Sequence, residues 1–334
     1  MTRYLVRRLV GTIPVLLLVT LLVYGLLHLA PGDPASLLLP EDATDADVAE
    51  ARARWGLDKP FYVQYVYFVG NALQGNLGRS FRFAQPVTEL IGSRLPATVE
   101  LAFFAVLIAT LIAIPLGVFA GARPDSATDN VGTVFGLFGI SMPNFWFGIM
   151  LILLFAGVLH WFPSAGRSEY GVAGQTITGF YFVDSIITGN WAGVADAFRH
   201  VVLPALTLGC ALAGILMRIT RSAVLEITRE DYVLVARAKG LMNRVVLWRH
   251  VLRNALIPIV TVVGLELGTL LSGSIIVETV FAWPGVGNLL ITGVTSRDYP
   301  LVTGIVLMYT VAFVTINLAI DAIYAVVDPR IRFQ

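Results

Sequence analysis

Long, nearly uncharged stretches of apolar residues dominate the chain and predict helices that cross a membrane. A spanning α-helix needs about 20 mostly apolar residues to cover the hydrocarbon core of a bilayer. The apolar residues do not alternate with polar ones, as they would in a transmembrane barrel, and helices satisfy their own backbone in lipid. We therefore predict an all-α, polytopic membrane protein with six transmembrane helices, at residues 9–29, 98–122, 131–159, 201–217, 256–277 and 299–325.

The composition supports the bilayer as the solvent of this chain. Of the 334 residues, 57% are hydrophobic and 13% are charged, whereas about 25% charged residues is usual in a soluble domain. The formal net charge of +1 is too small to attract nucleic acid, so we expect no nucleic acid as a partner. The apolar composition predicts membrane lipid as the partner instead. With one cysteine, Cys210, and four histidines without ligand spacing, we expect neither an intrachain disulfide nor a metal site.

The polar segments divide the chain into four parts. The first apolar stretch is longer than the roughly 7–15 residues of a signal-peptide core, so residues 1–30 are predicted to remain as the first transmembrane helix. Residues 31–96 are predicted to form an extracytoplasmic cap of short helices, whose surface is also compatible with docking of an external partner. Residues 97–326 hold the other five helices, and residues 327–334 form a cytoplasmic C-terminal tail.

The distribution of lysine and arginine predicts the orientation in the membrane, because short loops rich in these residues stay cytoplasmic. Arginines lie at the N-terminus, in the C-terminal tail and, above all, between the fourth and fifth predicted helices. Both termini and this loop are therefore predicted to be cytoplasmic. The basic residues of the loop are Arg218, Arg221, Arg229, Arg237, Lys239, Arg244, Arg249 and Arg253.

Within this basic loop, residues 228–256 have the pattern of two short helices that meet at a glycine. Thr228 and Asp231 are spaced as a capping box at the start of the first helix. Gly240 is predicted to end this helix in the left-handed conformation, with Leu241 packing back on its last turn. Residues at spacings of three and four are expected on one face of this helix, namely Tyr232, Val235, Ala236 and Lys239.

The second helix of the loop is predicted at about residues 243–255. Its expected apolar side consists of Val245, Trp248, Val251, Leu252 and Ala255. Pro258 is predicted to start the next spanning helix. The pattern alone leaves two alternatives open, a coupling element and a stabilised cytoplasmic turn.

The sequence ARAKGL, at residues 236–241, followed by Ile257–Pro258, resembles the coupling motif of permease subunits of type I ABC importers. Members of that family carry a Glu-Ala-Ala-like triplet, a glycine shortly after it and a proline about twenty residues beyond. Here Ala236, Ala238, Gly240 and Pro258 match. The acidic residue departs from the pattern, since Asp231 lies several residues before the alanines and Arg237 separates them. This departure is common in the dipeptide/oligopeptide (and nickel) branch.

Further stretches along nearly the whole chain resemble the same branch. They are the start RYLVRRLVGTIPVLLLVTLLVYGLLHLAPGDP with PGDP at 31–34, and GLDKPFYVQY, GNLGRS, RLPATVELA, ETVFAWPGVG and DPRIR. The resemblance implies the type I (MetI-like) permease fold and a B-type subunit in the bacterial inner membrane that works by alternating access. It also implies a second, homologous permease, two cytoplasmic ATPase subunits and an extracytoplasmic substrate-binding protein. The implied substrates are di- or oligopeptides, while nickel, glutathione and oligosaccharides use close relatives.

ATP is expected to bind elsewhere than in this chain. A P-loop needs a lysine directly after a glycine, and neither Lys59 nor Lys239 follows one. We therefore expect no cofactor and no enzymatic activity here, with ATP and Mg bound by the partner ATPase subunits. An ion channel or secondary transporter would need charged or broken helices at the bilayer centre, and a membrane enzyme would need a catalytic cluster that the loops lack.

Two sets of residues follow as site predictions, with no catalytic residue and no metal ligand among them. Glu266 lies in the middle of a predicted span, where ionisable groups are costly and often functional, although it also fits a pair with a neighbouring helix. Asn144 marks an irregularity with Ser141 and Pro143, and Trp283 is a candidate gate of the pathway. The predicted contact with the ATPase consists of Asp231, Tyr232, Ala236, Arg237, Ala238, Lys239, Gly240, Leu241 and Pro258.

Overall fold

The computed structural model describes residues 2–29, 35, 39, 43–172 and 174–327. Within these residues helices dominate, and the β pairing is limited to one bridge between Arg79 and Pro86. The predicted all-α class is confirmed. The helices are α1 Thr2–Leu29, α2 Asp45–Trp55, α3 Phe61–Ala72, α4 Val87–Ala122, α5 Ala127–Ser141, α6 Asn144–Leu151, α7 Tyr181–Ile187, α8 Trp191–Ile227, α9 Asp231–Ala238, α10 Asn243–Val245, α11 Leu252–Val280, α12 Val286–Thr295 and α13 Tyr299–Val327, with π-helical segments Ile152–Val158 after α6 and Val246–Val251 between α10 and α11.

Five of these helices are long and apolar enough to cross a membrane, and six if a bent pair counts as one span. The bent pair replaces the single span predicted at residues 131–159. It consists of α5 and the helical stretch Asn144–Val158, which meet at an angle of 106°. The break falls at Met142 and Pro143, whose extended backbone ends α5. The irregularity predicted around Ser141, Pro143 and Asn144 is thus confirmed.

Helix α8 is much longer than the stretch predicted at residues 201–217. Polar residues beyond both ends of the apolar stretch concealed its length, and in the structure these residues have partners. His200 Nδ1 lies 3.0 Å from a carboxylate oxygen of Asp196 one turn earlier. Near the other end, Arg221 donates to Asp129 on α5, with 2.7 Å between Nη2 and Oδ2. Pairing removes much of the cost of placing these polar groups among apolar helices.

Contacts divide the chain into two compact units. The first runs from the N-terminus to Thr98 and includes Pro284–Thr315. Its described cap residues form the short helices α2 and α3, as predicted, and α3 packs along α1 through a Tyr65 hydroxyl that donates to the Leu17 carbonyl at 2.7 Å. A separate apolar cluster joins α4, α12 and α13 within this unit, through Val87, Leu90, Ile91, Val286, Leu289, Leu301 and Ile305.

The second unit includes Val99–Trp283 and continues from Ile316. It contains the broken span, α8 and the whole basic loop. The PGDP motif at 31–34, the DPRIR motif and the tail from residue 328 lie outside the described residues.

Candidate functional site

The basic loop begins with a turn between α8 and α9. Thr228 has helical backbone angles at the end of α8, and its hydroxyl donates to the carbonyl of Val224. Helix α9 then begins at Asp231, and Glu230 precedes it without a side-chain cap. The predicted capping box of Thr228 and Asp231 is therefore wrong, because the threonine oxygen is already directed into the preceding helix.

The end of α9 agrees with its prediction. Gly240 has φ +79°, in the left-handed region. Its N–H donates to the Arg237 carbonyl at 2.9 Å, and the Leu241 N–H donates to the Ala236 carbonyl at 3.4 Å. These two bonds are those of a Schellman motif, which satisfies the last carbonyls of a helix.

One side of α9 is packed against this chain's own helices. Val233 and Ala236 are buried in a cluster with residues of α4, α8, the π-helical segment and α11, and Ala236 is only 7% exposed. The predicted shared face is thus wrong, because Ala236 points inward while Tyr232 and Val235 are exposed. Ala236 is consequently part of the anchor of α9.

The outer face of α9 is exposed and partly apolar. It consists of Asp231, Leu234, Val235 and Ala238, whose spacings of three, four and seven place them on one side of a helix. Leu234, which is 52% exposed, is absent from the predicted contact. The run from Val233 to Val235 is apolar on every side, so periodicity could not tell which of these residues point outward. After Gly240, Leu241 and Met242 extend the exposed apolar surface.

The second helix of the loop is continuous with the fifth span. Helix α10, the π-helical segment and α11 follow without a break, and Pro258 lies inside α11 instead of starting it. The buried residues are Val246, Val251, Ala255 and Ile259, at spacings of five, four and four. A π-turn contains one residue more than an α-turn. This extra residue shifts the buried side, and Trp248 is 45% exposed where α-helical spacing predicted an apolar contact.

A polar contact joins α9 to α11. The side-chain amide of Asn254 donates to the Tyr232 hydroxyl at 2.7 Å and to the His250 carbonyl at 3.1 Å. Together with the buried cluster, this contact fixes α9 to the start of the fifth span. Helix α9 and the start of α11 are therefore joined by both hydrogen bonds and apolar packing.

An acidic cleft lies beside the N-terminus of α9. It has a volume of about 480 Å³, and its charged lining consists of Glu226, Arg229, Glu230 and Asp231. The carboxylates outnumber the single guanidinium. The cleft is therefore suited to receive a basic side chain from outside this chain.

The three predicted pathway residues lie on separate elements of the second unit. Glu266 is half-buried on α11, and its carboxylate accepts a hydrogen bond from the Thr269 hydroxyl at 2.7 Å. Asn144 is the first residue of α6, directly after the break. Trp283 is only 1% exposed, with the Arg167 guanidinium 6.0 Å from its ring centroid. A gate role for Trp283 therefore requires a movement that uncovers its ring.

Sequence reasoning missed an ion pair that anchors the loop after the broken span. Glu100 is buried and bonded to Arg167 Nη2 at 2.6 Å. The Phe182 N–H donates to the same carboxylate at 2.8 Å. The available signal was Arg167 itself, a basic residue in a long segment with few charges.

The same loop is ordered by a second buried carboxylate. Asp184 accepts hydrogen bonds from the N–H groups of Ile177, Thr178 and Gly179 and from the Thr178 hydroxyl. Burial alone would raise the pKa of Asp184, but these hydrogen bonds prevail and hold it below its usual value. Asp184 and its donors therefore order residues 177–184 within the loop at residues 161–199.

This arrangement defines a multi-pass permease component of a transport system. It consists of apolar spans, one of them broken, and a short helix that is fixed to their ends. Family models agree along the chain. The model described as "Binding-protein-dependent transport system inner membrane component" matches residues 113–333, and its N-terminal companion matches residues 1–102. The chain belongs to this family of binding-protein-dependent transport system inner membrane components, and it is a multi-pass protein of the bacterial inner membrane.

Individual relatives match over the full length of both chains. The chain is 42% identical over 335 residues to the di/tripeptide transport system permease protein DppB of Pseudomonas aeruginosa (strain UCBPP-PA14), covering 100% of each. It is 39% identical over 334 residues to the glutathione transport system permease protein GsiC of Salmonella typhi, again covering 100% of each. A solved structure of the inward-facing MetNI methionine ABC transporter aligns with a TM-score of 0.54 and 17% identity, covering 72% of this chain and 96% of that one. This likeness confirms the MetI-like fold.

Proposed function

We propose that this protein forms half of the translocation pathway of an ABC importer for di- or oligopeptides. The relatives reported above support the substrate class, since one is named for di- and tripeptides and another for glutathione, which is itself a tripeptide. Nickel and oligosaccharides are the alternative cargoes. The other half of the pathway is a second, homologous permease, and an extracytoplasmic binding protein delivers the substrate.

The energy comes from two cytoplasmic ATPase subunits that bind ATP and Mg, while this chain performs no hydrolysis. Both termini and the basic loop lie in the cytoplasm, and the divisions at residues 1–30, 31–96, 97–326 and 327–334 describe the parts of the subunit. Helix α9 is the contact with an ATPase subunit. Its exposed face is supplied by Asp231, Leu234, Val235 and Ala238, and Arg237, Lys239 and Leu241 flank it.

One observation carries this assignment, namely that α9 is anchored on one side and exposed on the other. Val233 and Ala236 hold it to the membrane helices, while apolar side chains on the opposite face are left exposed by the residues that the structure describes. Exposed apolar patches of this kind mark protein interfaces. A basic side chain of the ATPase subunit enters the acidic cleft beside Asp231.

ATP-driven closure of the ATPase subunits displaces α9 and, through it, α8 and α11. The cavity between the two permeases then opens alternately to either side of the membrane. Glu266 and Asn144 contact the substrate along this route. A few kcal/mol of differential binding is sufficient to invert a two-state equilibrium of this kind.

The test replaces Leu234 by aspartate in the complete complex. A carboxylate at the centre of an apolar contact should reduce retention of the ATPase subunits on purification by about tenfold, as expected for a central interface residue. The control is Leu73→Asp, because Leu73 is 84% exposed in the cap, outside the second unit. Normal retention of the ATPase subunits by the Leu234→Asp complex would refute α9 as the contact.

The substrate class is tested separately with the unmodified complex in proteoliposomes that contain ATP. Uptake of a labelled dipeptide should depend on the binding protein and be competed by unlabelled di- and tripeptides. Uptake of nickel or an oligosaccharide in place of the dipeptide would refute the peptide assignment.

A further inference from the structure

A basic pocket lies between the end of α4 and the start of the fifth span, apart from the outer face of α9. Its volume is about 630 Å³, within the range of roughly 300–1,000 Å³ that is usual for ligand sites. We call it the arginine pocket. Its polar lining consists of Arg123, Arg237, Arg244 and Asn243, and Phe119 and Trp248 form its aromatic edge.

The charges of the arginine pocket are all of one sign. Three guanidinium groups from three different elements face one cavity, and its lining contains no carboxylate. Within the part of the chain that the structure describes, none of the three forms an ion pair with a carboxylate. Guanidinium groups bind phosphate oxygens in a bidentate geometry. The pocket is therefore complementary to a phosphate anion.

The aromatic edge locates the arginine pocket at the boundary of the bilayer. The rings of Phe119 and Trp248 are exposed and meet edge to face, with 6.5 Å between their centroids. Aromatic residues next to basic ones are typical of the interface between membrane and water. Basic pockets between membrane helices at this level are suited to anionic lipid headgroups.

A stripe of exposed apolar side chains runs along α4 into the pocket. Phe103, Leu107, Leu111 and Phe119 are all exposed. Each step of four residues adds about 40° to a full turn, so the stripe winds through about 160° around the helix between Phe103 and Phe119. Sixteen residues of α-helix span about 24 Å, which approaches the thickness of a hydrocarbon core. A flexible acyl chain can follow this winding stripe from Phe119 towards Leu111 while its headgroup occupies the pocket.

We propose that the arginine pocket binds the phosphate of an anionic phospholipid, with the acyl chains along α4. A protein partner with an acidic surface would also meet the charges, but it would leave the aromatic edge and the exposed apolar side chains of α4 without a role. Because Arg237 belongs to α9, a bound lipid ties this helix to the bilayer. Lipid composition then affects how firmly α9 is held, independently of the substrate carried.

The test uses the complete complex and phosphatidylglycerol as the probe. The variant Arg123→Gln/Arg244→Gln removes two guanidinium groups of the pocket and leaves Arg237 in place. The control Arg249→Gln/Arg253→Gln removes the same charge from two exposed arginines outside the pocket lining. Native mass spectrometry of the detergent-purified complex counts the retained phosphatidylglycerol. ATPase rates are then measured in nanodiscs of phosphatidylcholine with rising fractions of phosphatidylglycerol.

The pocket variant should weaken retention by about fivefold for each guanidinium, or roughly 25-fold for the pair, and shift the rate dependence to higher phosphatidylglycerol fractions. The control should behave as the unmodified complex. An equal loss of retained phosphatidylglycerol in both variants would show that net charge alone accounts for the binding, and it would overturn the proposal. Loss of the ATPase subunits from the pocket variant in both lipids would assign the pocket to that partner instead. Displacement of the lipid by inorganic phosphate at equal concentration would also overturn it, while peptide uptake by the unmodified complex would leave the proposed function standing.

Discussion

Replacement of Gly240 by valine tests whether the end of α9 must be fixed for coupling. The residue has φ +79°, and a β-carbon at this position would meet no atom within 4 Å. The substitution therefore introduces no clash, and its cost is the left-handed backbone alone, about 1–2 kcal/mol for a non-glycine residue. That energy increases the fraction of α9 with an opened last turn by roughly 5- to 30-fold.

The structural consequence is the loss of the two hydrogen bonds that close α9, from the N–H groups of Gly240 and Leu241. We expect the ATPase subunits to remain bound, because the buried anchor and the outer face are unchanged. Substrate-stimulated ATPase activity and peptide uptake in proteoliposomes should both fall. Gly240→Asn should retain more of both, because asparagine tolerates the left-handed region better.

Gly56 provides the matched control. It ends α2 with φ +68°, and a β-carbon there also meets no atom within 4 Å. Gly56→Val therefore carries the same backbone cost in the cap. Full transport by the Gly240→Val complex, or an equal loss in the Gly56→Val complex, would refute the reasoning.

Two further predictions concern the loop at residues 161–199. Arg167→Gln leaves the buried Glu100 carboxylate without its ion-pair partner and should lower the free energy of unfolding by about 3–5 kcal/mol, measured as a lower thermal midpoint of the purified complex. The double variant with Glu100→Gln should recover most of this stability. Failure to recover it would show that the charge pair is not the cause. Asp184 has a pKa below its usual 3.8, so its contribution to stability is complete above that value and is lost as the pH falls through the lower folded-state pKa. In the unmodified protein, proteolysis of the loop should therefore become faster as the pH falls below about 4, and in Asp184→Asn this dependence on pH should be weaker. The same dependence on pH in both proteins would contradict the assignment.

The features that the sequence predicted correctly are those carried by long or local signals. Apolar stretches identify spanning helices whatever their exact rotation, because the sides that face lipid and the sides that pack against other helices are both mostly apolar. Gly240 was predictable because one residue and its immediate neighbours determine the motif. Pro143 marked the break for a similar reason, since proline removes a backbone donor.

The wrong predictions concern features that are determined by tertiary contacts or by an unusual helix. Whether Thr228 caps one helix or closes another depends on where α8 ends, and α8 is extended by polar residues with distant partners. Glu100 and Arg167 are far apart in sequence, so neither residue indicates its partner. The apolar run at Val233–Val235 offers no periodicity to orient α9.

The π-helical segment Val246–Val251 has a consequence for how variants of this region are interpreted. An α-helix turns about 100° per residue, so one additional residue offsets the residues before the segment from those after it by about that angle. A scan of substitutions through the basic loop and α11 will therefore follow two separate registers, with the change at this segment. Analysed in a single register, the effects of Trp248 and Ala255 would be attributed to the same face, although one residue is exposed and the other is buried.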